Sequence, residues 1–151
     1  AIPNTINYIT RHNDENIFYY GNWPPTPDSA IELFKHLRSH LSLTKRYECR
    51  QQLQHFWITF DSSSAPDFIN TFANDIALIF APLFPICLAT HDKIYHPHTH
   101  FVVSTTSILS SQKPLIGKVW DNYLAQVCEL ALTRYDIHLT VKPKTNTVIQ
   151  K

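Results

Sequence analysis

The sequence predicts a single α+β domain over residues 1–151, with a central antiparallel sheet and helices packed on its face. Three observations support this prediction. Of the 151 residues, 44% are hydrophobic and 17% are charged, as in a globular domain with a sizeable core. Segments with helical spacing of apolar residues alternate with short runs rich in aromatic and β-branched residues. Two of these runs are separated only by a short polar link, which is typical of paired antiparallel strands.

The first predicted helix follows a proline-rich loop. Because consecutive prolines forbid a helix, Trp23–Pro27 is expected to be extended. Ser29 and Glu32 fit a capping box, in which two side chains satisfy free backbone N–H groups at a helix start. Apolar residues then recur at helical spacing as far as Leu41. The pattern therefore predicts a helix that begins at Ser29.

A strand and a second helix are predicted next. The aromatic and β-branched run His55–Phe60 predicts a strand that ends at a polar turn. Ser64 and Asp67 fit another capping box, and Pro66 lies where proline is favoured at a helix start. An apolar stripe continues this helix until Pro82 stops it.

The second half of the chain predicts a hairpin, a third helix and a final strand. The segments Pro85–Thr90 and His98–Val103 are apolar and separated by a short polar link, so we expect them to pair. A helix is predicted over Val119–Tyr135 and a final strand over Ile137–Val141. Together with the first strand, these segments would form the sheet.

Composition and charge exclude several classes of function. The formal net charge of +1 excludes a large basic field for nucleic acid, so any DNA contact must be local. The two glycines exclude a glycine-rich phosphate loop. The three cysteines form no CxxC pair, which argues against a disulfide framework or a zinc knuckle. We expect a cytoplasmic protein, since neither a membrane span nor a signal peptide is visible.

A cluster of histidines is the most informative feature. Four of the nine histidines lie within ten residues: His91, His96, His98 and His100. Side chains alternate along a strand, so His98 and His100 share one face, and a short return can bring His91 beside His98. Three nitrogen ligands with open coordination positions are typical of a catalytic metal site. The sequence therefore predicts a divalent metal ion on His91, His98 and His100, with His96 as the second choice.

The same residues resemble a known family. The segment Ala89–Val103 resembles the metal motif of conjugative and mobilisation relaxases, HUH endonucleases in which two histidines flank one residue on a central strand. Thr5–Thr10 is similar to the N-terminal helical motif that carries the nucleophilic tyrosine in the branch of broad-host-range plasmid and Agrobacterium transfer enzymes. The resemblance implies an HUH relaxase-like fold and makes Tyr8 the nucleophile. It also implies the ligand set His91, His98 and His100.

The activity implied by the resemblance is metal-dependent, site- and strand-specific DNA nicking and strand transfer at a plasmid transfer origin. Attack by Tyr8 on phosphorus would leave a 5′-phosphotyrosine link and a free 3′-hydroxyl. We expect manganese or magnesium, with zinc or nickel as alternatives, because imidazole accepts several divalent ions. His96, Asp14 and Glu15 are candidate bases. The implied partners are single-stranded DNA, accessory relaxosome proteins and a secretion coupling protein, without membrane insertion.

Candidate DNA contacts come from small groups of residues. Lys45, Arg46 and Arg50 form a basic patch that can contact phosphates. Trp23 and Tyr95 are candidates for stacking on unpaired bases.

Several alternatives stay open at this point. Replication-initiator and transposase relatives usually place the tyrosine on a helix after the metal motif, which would make Tyr123 or Tyr135 the nucleophile. Tyr19 and Tyr20 also compete with Tyr8 for that role. A non-catalytic DNA-binding module would bind no stoichiometric metal. A zinc hydrolase would stay active in the variant Tyr8→Phe.

Overall fold

A six-stranded sheet and four helices are formed by the residues that the computed structural model describes, which are 2–10, 16–19, 26–42, 51–91, 96–109, 112–133, 138–141 and 146–150. The helices are α1 (Ile2–Thr10), α2 (Pro27–Ser42), α3 (Pro66–Phe80) and α4 (Gly117–Thr133). The strands are β1 (Asn16–Tyr19), β2 (Leu53–Phe60), β3 (Ile86–His91), β4 (His98–Ser104), β5 (His138–Val141) and β6 (Asn146–Gln150). No helix in these ranges is long and apolar enough to cross a membrane.

The sheet has the strand order β1-β3-β4-β2-β6-β5. Neighbouring strands are antiparallel except β2 and β6, which are parallel. The predicted hairpin is present as β3 and β4, which pair from Ile86 opposite Val103 to His91 opposite His98. The α+β fold class is therefore confirmed, and β4 lies near the middle of the sheet.

One face of the sheet packs against α3 and α4. Phe56 of β2 and Phe101 of β4 point to this face and stack with their ring centroids 4.7 Å apart. Phe80 of α3 and Trp120 of α4 complete the aromatic centre of this core. All four side chains are at most 4% exposed, so this half of the molecule holds the larger hydrophobic core.

The opposite face packs against α1 and α2. A smaller apolar cluster joins Ile6 of α1 and Phe34 of α2 to Cys87, Ala89 and Val102 of the hairpin. Since successive residues of a strand point to opposite faces, β3 and β4 supply side chains to both cores. Helices therefore cover both faces of the sheet, and the second face is the one that carries the histidines.

The start of α2 differs from the prediction, because Thr26 rather than Ser29 caps the helix. The N–H of Ser29 donates to Thr26 Oγ1 at 3.2 Å, and Thr26 N–H donates to Ser29 Oγ at 3.3 Å. Pro27 takes the first helical position, where its fixed φ angle suits the helix and no N–H is needed. These two effects move the start of the helix ahead of the predicted position.

The predicted capping box at Ser64 is also wrong. Ser64 belongs to the turn after β2, where its N–H donates to the carbonyl oxygen of Asp61 at 2.9 Å. The residue before α3 is Ala65, which is extended and makes no side-chain capping bond. Pro66 occupies the first turn, as predicted.

The predicted final strand is followed by another strand. β5 covers most of Ile137–Val141, but β6 comes after it and lies between β5 and β2. The parallel pairing of β6 with β2 joins segments far apart in sequence, so no local turn motif predicts this pairing.

A candidate metal centre beside a tyrosine

The hairpin of β3 and β4 brings the three predicted metal ligands together. His91 lies opposite His98, and His100 follows two residues later on the same face of β4. One ligand nitrogen of each histidine lies within 4.8 Å of the other two. The three ring centroids are 4.7 to 5.0 Å apart. The arrangement is a compact cluster of imidazoles on the face that α1 covers.

Backbone carbonyl groups fix the orientation of two of these rings. His91 Nε2 donates to the carbonyl oxygen of Ile9 at 3.1 Å, and His98 Nδ1 donates to the carbonyl oxygen of His96 at 3.2 Å. A carbonyl oxygen only accepts, so these nitrogens carry the ring protons. In a neutral imidazole the lone pair is then on the other nitrogen, which is the one able to bind a metal ion.

The donor set fits a divalent metal ion. Nitrogens about 2.1 Å from a common ion lie roughly 3.0 to 3.4 Å apart, so small side-chain rotations would close the cluster around an ion. His91 and His100 are only 9% and 8% exposed, which limits competition from water. Three protein ligands leave coordination positions open for a substrate oxygen. The cluster could therefore hold a metal ion of the catalytic type.

A fourth histidine, His55, completes the site and is not among the residues predicted for it. His55 Nε2 lies 2.9 Å from His100 Nδ1. Burial lowers the pKa of His55 and so favours its neutral imidazole. The alternation of β2 places His55 on one face and the buried Phe56 on the other, and this is the sequence signal that could have found it.

Helix α1 places Tyr8 at the edge of the cluster. The apolar side of α1 is buried through three isoleucines: Ile2, Ile6 and Ile9. Tyr8 is 48% exposed, and its ring meets His55 and His100 edge-on at centroid distances of 6.3 and 6.2 Å. The hydrogen bond from His91 Nε2 to the carbonyl oxygen of Ile9, the residue after Tyr8, joins α1 to the cluster. The predicted nucleophile and the predicted ligands are thus neighbours.

His96 lies outside the three-histidine group. Its side chain is exposed, and its carbonyl oxygen accepts the hydrogen bond from His98. The pKa of Asp61 is lowered mainly by a hydrogen bond from the backbone N–H of Ser63, with a smaller contribution from the charge of His96. The His96 ring and the carboxylate at the end of β2 are therefore neighbours.

Trp57 is a second site residue that was not predicted from the sequence. It lies opposite His100 in the pairing of β2 with β4. Its ring centroid is 6.1 Å from that of His100 and 5.8 Å from that of His55. The indole is partly exposed, so an aromatic surface borders the imidazole cluster.

Tyr123 lies on the other side of the sheet from the histidines. Its ring packs against Phe80 and Phe84 of the larger core, with centroid distances of 5.3 and 5.4 Å. Burial raises the pKa of its hydroxyl group. Tyr19 has its backbone in β1, opposite Cys87.

The remaining predicted site residues lie outside the described part of the chain: Asp14, Glu15, Tyr20, Trp23, Lys45, Arg46, Arg50, Tyr95 and Tyr135. Their roles stay predictions.

Comparison with known proteins identifies the family. Residues 8–135 match the family model described as relaxase, MobA/VirD2-like, nuclease domain. A search of the curated proteins finds no match. The matched segment begins at Tyr8 and includes all the histidines of the cluster. The chain therefore belongs to the MobA/VirD2-like relaxase nuclease family, and this membership assigns it a role in DNA nicking.

Proposed function

We propose that this domain is a metal-dependent, site- and strand-specific nickase and strand transferase that acts on single-stranded DNA at a plasmid transfer origin. In this proposal Tyr8 is the nucleophile, and His91, His98 and His100 hold the metal ion. The observation that carries the proposal is the edge-on contact of the Tyr8 ring with His100, at a centroid distance of 6.2 Å.

The proposed reaction is a transesterification at phosphorus. The bound ion would polarise the phosphodiester and neutralise charge on its non-bridging oxygens. Tyr8 Oη forms a bond to phosphorus, the bond from phosphorus to O3′ breaks, and the leaving oxygen takes up a proton. The phenol proton passes to a base, for which His96, Asp14 and Glu15 are the candidates. Reversal of the same step reseals the strand.

The anchoring of α1 supports Tyr8 over the competing tyrosines. Three buried isoleucines and the bond from His91 hold α1 against the face that carries the imidazoles. Tyr123 is half-buried among phenylalanines on the opposite side of the sheet. A nucleophile held near the ion needs little further ordering to reach phosphorus.

Trp57 supports binding of unpaired DNA at the same place. A partly exposed indole beside the cluster can stack on a base next to the scissile phosphate. Such stacking tolerates different bases, so it would hold the strand without reading its sequence.

Capture of the covalent intermediate tests the proposal. The chain is incubated with Mn²⁺ and single-stranded oligonucleotides that tile the DNA around its own gene, and adducts that survive denaturation are mapped by mass spectrometry. We expect the nucleotide on the peptide that contains Tyr8. The variant Tyr8→Phe should form no adduct, whereas the matched control Tyr123→Phe should form it normally.

Three results would contradict the proposal. An adduct on Tyr123 or Tyr135 would indicate chemistry of the replication-initiator or transposase type. Cleavage that persists in Tyr8→Phe would indicate a hydrolase. The absence of both cleavage and stoichiometric metal binding would indicate a non-catalytic DNA-binding module.

A further inference from the structure

We infer that His55 is a positioning residue for the metal centre: its Nε2 accepts a hydrogen bond from His100 Nδ1 and so keeps His100 Nε2 as the metal-binding nitrogen. This inference rests on the proposed metal site and adds a residue to it. The observation that supports it is the distance of 2.9 Å between His55 Nε2 and His100 Nδ1.

The short distance between two ring nitrogens requires one proton between them. If His55 Nε2 were the donor, His100 Nδ1 would accept, and the proton of His100 would be on Nε2. That tautomer has no lone pair on Nε2, the nitrogen that faces away from His55. If His100 Nδ1 donates instead, Nε2 is free of its proton. Only the second arrangement allows His100 to bind an ion through Nε2.

The surroundings of His55 hold its ring in place as an acceptor. Its centroid lies 5.1 Å from that of His100, 5.8 Å from that of Trp57 and 6.3 Å from that of Tyr8. The side chain is partly buried on β2, which pairs with β4 on one side and β6 on the other. An acceptor that is already oriented costs little entropy when the ion binds.

The three ligand histidines differ in the group that accepts the hydrogen bond from the protonated ring nitrogen. His91 and His98 donate to backbone carbonyl oxygens, which are not part of any side chain. His100 relies on the side chain of His55. A substitution of His55 can therefore change the tautomer of His100.

Two substitutions of His55 test whether its side chain acts as a hydrogen-bond acceptor or only fills space. In His55→Gln the amide oxygen can take the place of Nε2 and accept from His100, whereas His55→Phe keeps an aromatic ring without an acceptor. Each full-length variant is titrated with Mn²⁺ alone by calorimetry. We expect the dissociation constant to rise ~10–100-fold in His55→Phe and to stay close to that of the wild type in His55→Gln. The exposed His36 provides a control, since His36→Phe should leave the constant unchanged.

The position of the ring proton of His100 can be measured directly. It would not change if His55 had only a structural role. Long-range ¹H–¹⁵N correlation spectra of the metal-free chain distinguish a protonated Nδ1 from a protonated Nε2. We expect the proton on Nδ1 in the wild type and in His55→Gln, and a shift towards Nε2 in His55→Phe. A proton on Nε2 of His100 in the wild type would overturn the inference without any variant.

The binding data have outcomes that separate this inference from the proposed function. Wild-type affinity in His55→Phe would overturn the positioning role. Equal loss in His55→Gln and His55→Phe would also overturn it, because an acceptor at this place would then make no difference. Weakened binding in His55→Phe alone, with no DNA adduct in the wild type, would support the positioning role and contradict the proposed function. Failure of the wild type to bind Mn²⁺ would overturn both.

Discussion

Replacement of Ile6 tests the packing that holds α1, and with it Tyr8, against the sheet. Ile6 is 0% exposed and belongs to the apolar cluster shared by α1, α2 and the β3–β4 hairpin. Ile6→Ala removes three buried carbon atoms, which at about 0.8 kcal/mol each amounts to about 2.4 kcal/mol of transfer free energy. The cavity left behind raises the expected loss to about 3–4 kcal/mol. Ile6→Val removes one carbon and should cost about 1 kcal/mol.

Urea unfolding followed by circular dichroism measures these losses as changes in the free energy of unfolding. Asn7 offers a matched control, because it is exposed on the same helix, and Asn7→Ala should change the free energy by less than about 0.5 kcal/mol. The expected order of loss is therefore Ile6→Ala, then Ile6→Val, then Asn7→Ala. A loss in Ile6→Ala as small as that in Asn7→Ala would refute the packing of α1 on the sheet.

Three further predictions concern the helix cap, the aromatic surface and the thiols. Thr26→Ala should lower the free energy of unfolding by about 1 kcal/mol in the same urea assay, because it removes the cap of α2. Trp57→Ala should weaken binding of an unpaired oligonucleotide, measured by fluorescence anisotropy, by about 1–3 kcal/mol, whereas Trp57→Phe should keep most of the affinity. Burial raises the pKa of the Cys128 thiol to about 12 and also raises the pKa of Cys87, so neither forms the reactive thiolate at pH 8. Peptide mapping after iodoacetamide treatment should therefore find both unmodified in the folded chain and modified in urea, and rapid labelling of either in native buffer would contradict their burial.

Local sequence patterns were sufficient to predict most of the helices and strands. The periodicity of apolar residues correctly predicted α2, α3 and α4, since each helix repeats one buried side every three or four residues. The polar link between β3 and β4 correctly predicted their pairing. Helix starts were less predictable, because several serines and threonines compete as caps and the backbone geometry around Pro27 decides between them.

Contacts between distant strands could not be predicted in the same way. His91, His98 and His100 come from one hairpin, so their meeting follows from local pairing and side-chain alternation. The contact between His55 and His100 depends on the register of β2 against β4, which is set by packing of the whole sheet. The same reason explains why β6 was not predicted, since its partner β2 lies far away in sequence.

A crystal structure of the chain grown with Mn²⁺, with anomalous data collected at the manganese edge, would show whether the three histidines hold an ion beside Tyr8. We expect one anomalous peak bound by His91, His98 and His100, with nitrogen–metal distances of about 2.0–2.3 Å. We also expect the hydroxyl oxygen of Tyr8 to face this ion, with room for one phosphate group between them. No peak among the three histidines under saturating Mn²⁺, or an ion faced by a tyrosine other than Tyr8, would contradict the proposed metal centre and nucleophile.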